Sequence, residues 1–266
     1  MKQIFSKYHG AGNDFIMVYD PEKTFQPDEK TIEQLCHRHL GIGADGLIIL
    51  TSSTDWDFRM IYYNSDGREG TMCGNGGRCA VAFAHQLGVI GSHTTFDAID
   101  GIHQGRYIKG NSSENLTSVR LKDVAVPEIH HEADSFLADT GSPHLILFHD
   151  EPDQLDLFSE GRRLRNAPEY APGGVNVNFV KIRKDGITVR TYERGVENLT
   201  LSCGTGSTAA ALAVAIKKKK KQGRIKIDTW GGKLEVAYRL DNDVFRDIWL
   251  TGPATHVFDG TIELEP

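Results

Sequence analysis

Cysteine, then Gly-x-Gly, then an alanine-rich apolar run occurs twice in this chain. The first copy is Cys73-Gly74-Asn75-Gly76-Gly77-Arg78, running on to Leu87; the second is Cys203-Gly204-Thr205-Gly206-Ser207, running on to Val214. The apolar spacing and the scarcity of β-branched residues predict a helix starting just after each cysteine. A thiol there sits at the positive end of a helix dipole, which favours the thiolate. The unpaired N–H groups of the first turn can also hold a carboxylate. The repeat reaches upstream, since Asn64 and Arg194 each stand nine residues ahead of their cysteine. A matched offset of that length argues for two related halves, each offering one helix-capping thiol.

Such a pair suits a reaction that takes a proton from one face of a carbon and returns one to the other. A small amino acid could rest its carboxylate on Gly74-Asn75 and Gly204-Thr205, with its α-carbon between Cys73 and Cys203. With water excluded, the two helix dipoles stabilise the charge that develops when the α-proton leaves. A free cysteine has a pKa of about 8.5, which a helix start brings into the working range. Thiolate and thiol together would invert the stereocentre. No lysine stands in an obvious pyridoxal-phosphate context, so a cofactor-free route is the simpler one. Cys36 and Cys79 have no echo and read as small buried hydrophobes.

The elements that must position these groups follow from patterning. Ile4–Tyr8 and Phe15–Tyr19 read as strands flanking a turn, His9 to Asp14, where Asn13 reads as a turn former ahead of a ligand contact. A helix is expected over Thr31–Leu40, stopped by Gly41. Its Cys36, His37 and His39 point in different directions and have no partner pair at finger spacing, so no metal site is expected; the histidines read as last-turn cations. Strands at Leu47–Leu50 and Phe58–Tyr63 precede the first cysteine. In the second half, Phe136–Thr140 and Leu145–Phe148 flank Gly141-Ser142-Pro143-His144, the counterpart of the Gly12-Asn13 turn. A helix over Gln154–Leu164 and strands at Val175–Val180 and Ile187–Tyr192 follow. Lys217 to Lys221 read as the solvated last turn of the second cysteine's helix, ending at Gly223, and not as a nucleic-acid contact. Strands over 224–228, 234–240 and 244–250 come next, and 254–263 returns to the sheet of the first half. The fold class is α+β, with two pseudo-symmetric halves, each a curved, mostly antiparallel sheet around a central helix. The first half, 1–118 with 253–266, carries Cys73; the second, 119–252, carries Cys203. The two helix starts are expected to face one another across a cleft.

Composition excludes several classes. A length of 266 residues with 39% hydrophobic and 25% charged is ordinary for a globular protein of one large or two medium domains. The net charge of −6 is modest and gives no reason to expect a nucleic-acid partner. No apolar run approaches a membrane span, and the N-terminus lacks the apolar core of a signal peptide. Four cysteines are too few for a disulfide scaffold of this size, which points to a reducing, cytoplasmic setting.

Taken together, these motifs resemble the diaminopimelate epimerases. The carriers are His9 to Phe15, Gly41-Ile42-Gly43-Ala44-Asp45-Gly46, Tyr63-Asn64-Ser65-Asp66-Gly67, Met72 to Arg78, Asn176-Val177-Asn178-Phe179, Tyr192-Glu193-Arg194-Gly195 and Cys203-Gly204-Thr205-Gly206. The likeness spans nearly the whole chain, in order. It implies cofactor-free interconversion of L,L- and meso-2,6-diaminopimelate, a step toward lysine and peptidoglycan, by a homodimer of two-domain subunits. Cys73 and Cys203 match the acid/base pair. Asn13, Asn64, Asn176, Glu193 and Arg194 match the substrate ligands, and Gly74-Asn75 and Gly204-Thr205 match the carboxylate-binding helix starts. His144, like Glu193, matches a polar residue near the reacting amino group. Two positions depart. Ser142 stands where many members have a substrate-contacting asparagine, and a shorter hydroxyl reaches through water. Gly46 stands where some members carry glutamine. Three rival readings are a proline racemase relative, a cysteine hydrolase using His144, and a non-catalytic amino-acid binding module. Glu193 and Arg194 disfavour the first, because a cyclic imino acid has no distal zwitterion. The duplicated cysteine goes unexplained in the second, and the third would tolerate loss of either thiol.

Overall fold

The strand that starts at Asn13 and the one that starts at Gly46 are near-continuous apolar runs, and each is buried on both faces. That is the pattern expected of parallel neighbours, and the two pair in parallel, Phe15 opposite Gly46. The computed structural model describes residues 2–111, 113–130 and 135–264. Ser112 of the polar loop at 111–115 and the chain ends, 1 and 265–266, lie outside the described residues. Contacts divide the chain into Met1–Val119 with Thr251–Pro266, and Arg120–Leu250. The boundaries expected from sequence fall one and two residues from these.

The first unit contains β1 (Lys2–Gly10), β2 (Asn13–Tyr19), α1 (Glu29–Cys36), β3 (Gly46–Thr51), β4 (Phe58–Asn64), β5 (Glu69–Gly70), α2 (Gly74–Gln86), β6 (His93–Ala98), β7 (Gly101–Gly110) and β8 (Glu114–Arg120). Its sheet closes on itself. β1 pairs with β2, then β3, β4, β6, β7 and β8 follow in order. The last strand of the chain, β18 (Val244–Glu263), pairs with both β8 and β1 and completes the ring. All pairs are antiparallel except β2 with β3 and β4 with β6. Inside lies α2, buried continuously from Gly74 to Ala84 and packed against β1, β2, β3 and β7. Small residues let the sheet wrap it closely.

The second unit contains β9 (Val124–Ala125), β10 (Glu128–His130), β11 (Ser135–Asp139), β12 (Pro143–Phe148), α3 (Leu157–Arg165), β13 (Asn176–Arg183), β14 (Gly186–Glu193), β15 (Asn198–Thr200), α4 (Gly204–Lys217), β16 (Gln222–Thr229), β17 (Gly232–Asp241) and the first part of β18. Its pairing repeats the first unit's order. β11 runs antiparallel to β12, β12 parallel to β13, β13 antiparallel to β14, β14 parallel to β16, and β16 antiparallel to β17. The central helix α4 packs against β11 to β14, β16 and β17. The fold class is the α+β duplication expected.

Local expectations were corrected at several ends. The helix expected over 31–40 is Glu29–Cys36, because the Asp28 carboxylate accepts from the Thr31 N–H at 2.8 Å and caps it two residues earlier. His37 is already extended, and its ring nitrogen accepts from the N–H groups of His39 and Leu40. Gly41 is therefore not the cap, and neither histidine lies in the last turn. The helix expected over 154–164 starts at Leu157, where Asp156 caps Ser159, and Pro152–Gln154 is a separate 3-10 turn. Only Lys217 of the lysine run is helical; Lys218 is the cap and Lys219 has a left-handed φ of 53°. The strands expected over 244–250 and 254–263 are one strand. Pro253 falls in the gap between the two expected strands, yet it sits opposite Leu116 in the sheet.

Candidate active site

Both cysteines are helix N-caps with extended backbone, Cys73 at φ −82°, ψ 132° and Cys203 at φ −110°, ψ 115°. Their carbonyls accept the first helical hydrogen bonds, from Gly77 at 2.7 Å and Ser207 at 2.9 Å. The sequence expectation of one thiol at each helix start is met in this geometry. Gly74, Asn75 and Gly204 are buried in the first turns, and Thr205 lies beside Cys203 with its hydroxyl 3.4 Å from the sulfur. The Gly206 N–H donates to the same sulfur at 3.4 Å. Donors of this kind favour a thiolate. Cys203 is buried, while Cys73 is half-buried.

In the first unit, the turn between β1 and β2 reaches the start of α2. Gly12 takes a φ of 91° there, which glycine adopts without strain. Asn13 Oδ1 accepts from Asn75 Nδ2 at 3.3 Å and faces the Cys73 sulfur at 3.8 Å. The same amide donates to Asp45 at 2.7 Å, and Arg38 grips Asp45 at 2.6 Å. Arg38 also holds Asp14, as does Lys7 at 2.7 Å. Burial alone would raise the Asp14 carboxyl, but hydrogen bonds from Arg38 and Lys7 hold it well below the usual carboxylate range. Behind the helix start, the fully buried Arg78 donates to Asn75 Oδ1 at 2.9 Å and to the Gly74 carbonyl at 3.1 Å. Asn13 therefore has its amide orientation fixed on both sides. Asn64 ends β4, exposed, with its Oδ1 accepting from Tyr62. A Cβ on Gly46 would lie 2.4 Å from the Tyr63 carbonyl, so this backbone leaves no room for a side chain there.

In the second unit, Ser142, His144, Asn176 and Arg194 form one hydrogen-bonded frame. Asn176 Nδ2 donates to Ser142 Oγ at 3.2 Å and to the Pro143 carbonyl at 3.0 Å, while its Oδ1 accepts from the Arg194 backbone N–H at 2.9 Å. His144 is fully buried, and burial, reinforced by the charge of Arg194, pulls its pKa down to about 3. It is a neutral imidazole. Glu193 ends β14 and accepts from Thr200 at 3.0 Å. The Arg194 side chain borders a cavity of about 520 Å³ that Leu137, Pro143, Tyr170 and Gly173 also line. The spacing argument paired Asn64 with Arg194. The strands differ by one, because β4 ends at Asn64 and β14 at Glu193, ten residues before Cys203.

A sequence profile of the family described as diaminopimelate epimerase matches residues 5–101 and 136–257 of this chain. The chain belongs to the diaminopimelate epimerase family. A diaminopimelate epimerase of Flavobacterium psychrophilum is 46% identical over 260 residues, covering 96% of this chain and 98% of that one. One from Chlorobaculum tepidum is 41% identical, covering 96% and 99%. Among solved structures, a PhzF-family phenazine biosynthesis protein of Bacillus anthracis aligns with a TM-score of 0.76 at 14% identity, over 99% of this chain and all of that one. A probable proline racemase from Agrobacterium radiobacter aligns at 0.70 with 15% identity, over 99% and 94%. At such identities these two share the fold. The sequence motifs contain Asp45, Arg78 and Asn178 but gave them no role of their own, and Thr191 was not singled out. Two signals were present. A charged Arg78 in an otherwise apolar helix must be buried and paired, and Asn178 lies two residues from Asn176 on a strand, hence on the same face.

Proposed function

We propose that this protein interconverts L,L- and meso-2,6-diaminopimelate, with Cys73 and Cys203 as its acid/base pair. One sulfur, as thiolate, removes the α-proton; the other, as thiol, delivers a proton to the opposite face, and no cofactor takes part. The N–H groups at Gly74-Asn75 and Gly204-Thr205 hold the reacting carboxylate and stabilise the charge it gains. Arg194 binds the distal carboxylate, Glu193 and Asn64 the distal ammonium, and Asn13 and Asn176 fix the substrate's orientation. The observation that carries this reading is the pair of N-cap cysteines, each opening a buried helix, in a chain of this family. We place the enzyme in the cytoplasm, as a homodimer, on the route to lysine and peptidoglycan precursors; its four free cysteines suit a reducing compartment. Among the described residues, no helix is long and apolar enough to cross a membrane.

Proton NMR of the reduced protein with L,L-diaminopimelate in D₂O tests the reading. Loss of the α-proton signal with appearance of the meso isomer is expected. No exchange by folded, reduced protein would discard the substrate.

A further inference from the structure

Every hydrogen bond behind Ser142 can be given a direction. Asn178 Nδ2 lies 3.1 Å from the Leu145 carbonyl, which only accepts, so this atom is the amide nitrogen. The same nitrogen lies 3.1 Å from His144 Nδ1, and Thr191 donates to Asn178 Oδ1 at 2.9 Å. An amide nitrogen only donates, so Nδ1 of the neutral His144 accepts and its proton sits on Nε2. Nε2 faces Ser142 Oγ at 3.0 Å and therefore donates to it. Asn176 Nδ2 donates to the same oxygen, and its identity is fixed by the Pro143 carbonyl. A serine oxygen has two lone pairs, and both are now filled.

We infer that Asn178 and Thr191 are positioning residues that, acting through His144, make Ser142 a one-directional hydrogen-bond donor to a carboxylate oxygen of the substrate. The hydroxyl proton has no inward acceptor left and points toward the half-exposed side of Ser142. Asn176 carries both Ser142 and the Arg194 backbone, so the hydroxyl and the root of the Arg194 side chain are set on one frame. On that basis the oxygen served is assigned to the carboxylate that Arg194 pairs with. An asparagine at 142 would offer the same thing, since its Oδ1 would take the inward donors and its Nδ2 would face out. Seating of the chain against α4 is tight, because a Cβ on Gly206 would lie 2.3 Å from Asn178 Oδ1 and 3.3 Å from His144 Cε1.

This inference rests on the distal-carboxylate role given to Arg194 above and on the match of Ser142 to a substrate-contacting position, and two measurements separate it from that reading. Nitrogen-15 NMR of the imidazoles in ligand-free protein, with His144 assigned by the signal missing from His144→Gln, is expected to find a neutral ring protonated on Nε2 at pH 7 and pH 5. A proton on Nδ1 would overturn the chain whatever the activity. Asn178→Leu is expected to lose the single tautomer and raise the KM for L,L-diaminopimelate about tenfold, with a smaller change in kcat. Ser142→Ala is expected to raise KM by about tenfold or more, the scale of losing one hydrogen bond to a charged group. Ser142→Asn is expected to stay within about threefold of wild type on the same scale. An unchanged KM in Ser142→Ala would remove the donor role. An unchanged KM in Asn178→Leu with a scrambled tautomer would remove the positioning role. Absence of exchange by the wild type would instead overturn the diaminopimelate reading, and the tautomer would still decide the chain.

Discussion

Cys73 and Cys203 share a backbone position but not an environment. The Gly206 N–H and the Thr205 hydroxyl lie against the Cys203 sulfur, whereas the Cys73 sulfur faces Asn13 Oδ1. Both thiols are needed in a two-base reaction, so Cys73→Ala and Cys203→Ala are each expected to slow epimerisation by at least ~10²-fold. Steady-state turnover checks this; near-wild-type rates in either variant would remove the two-thiol scheme. His144 makes a separate prediction about pH. Burial, with the Arg194 charge, lowers its folded pKa to about 3, so the native protein stays unprotonated there while the unfolded chain takes up a proton near pH 6.5. The unfolded state binds more protons across that window, and stability falls as pH drops from about 6.5 toward 3, by up to about 1.4 kcal/mol per pH unit for one proton. Urea midpoints at pH 7, 6, 5 and 4 should show a shallower acid decline in His144→Gln than in wild type. Parallel declines would mean that His144 is not a buried neutral ring.

At the scale of elements, the central helices work because their first turns are nearly bare of side chains. Buried polar groups then reach the helix start, Arg78 from within α2 and the Asn178–His144 pair from the sheet around α4. Gly206→Ala places a methyl group on Asn178 Oδ1, whose amide is held by Thr191, His144 and Leu145 and cannot yield cheaply. Overpacking of this kind costs about 1–3 kcal/mol. A lower denaturation midpoint with unchanged slope is the expected result, and a midpoint equal to wild type would mean that the amide moves freely. The helix starts themselves were legible in sequence, because glycine after cysteine before an alanine run is a strong local signal. The ends of α1 and α3 were not. There Asp28 and Asp156 set the boundary through a single cap hydrogen bond each, against an apolar pattern that continued past it.

For the whole molecule, the last strand is the unusual part. β18 runs from Val244 to Glu263, and its portion beyond Leu250 is the partner of both β1 and β8. Removing Thr251–Pro266 opens the first unit's ring and leaves two unpaired edges, a condition that invites aggregation. A chain ending at Leu250 is expected to lose amide exchange protection in β1, β8 and α2. Native-like protection in those segments would mean that the ring does not depend on its closing strand. The duplicated plan was visible in sequence from the repeated cysteine motif and its upstream offset, and the return of 254–263 to the first sheet was expected, while the strand-by-strand order was not, because pairing partners such as Lys2 and Glu263 lie near opposite ends of the chain.

The amino-acid sequence by itself determined the two thiols, the helices they cap, the division into two related halves and, through its motifs, the family. These are carried by short contiguous runs, where residue type and spacing act locally. Tertiary structure alone decided which amide atoms point where. Asn13 is oriented by Asp45 and Asn75, and Ser142 by His144 and Asn176. A side-chain amide or hydroxyl can donate or accept in several directions, and only a neighbour with no such choice, a carbonyl or a carboxylate brought in from elsewhere in the fold, removes the ambiguity.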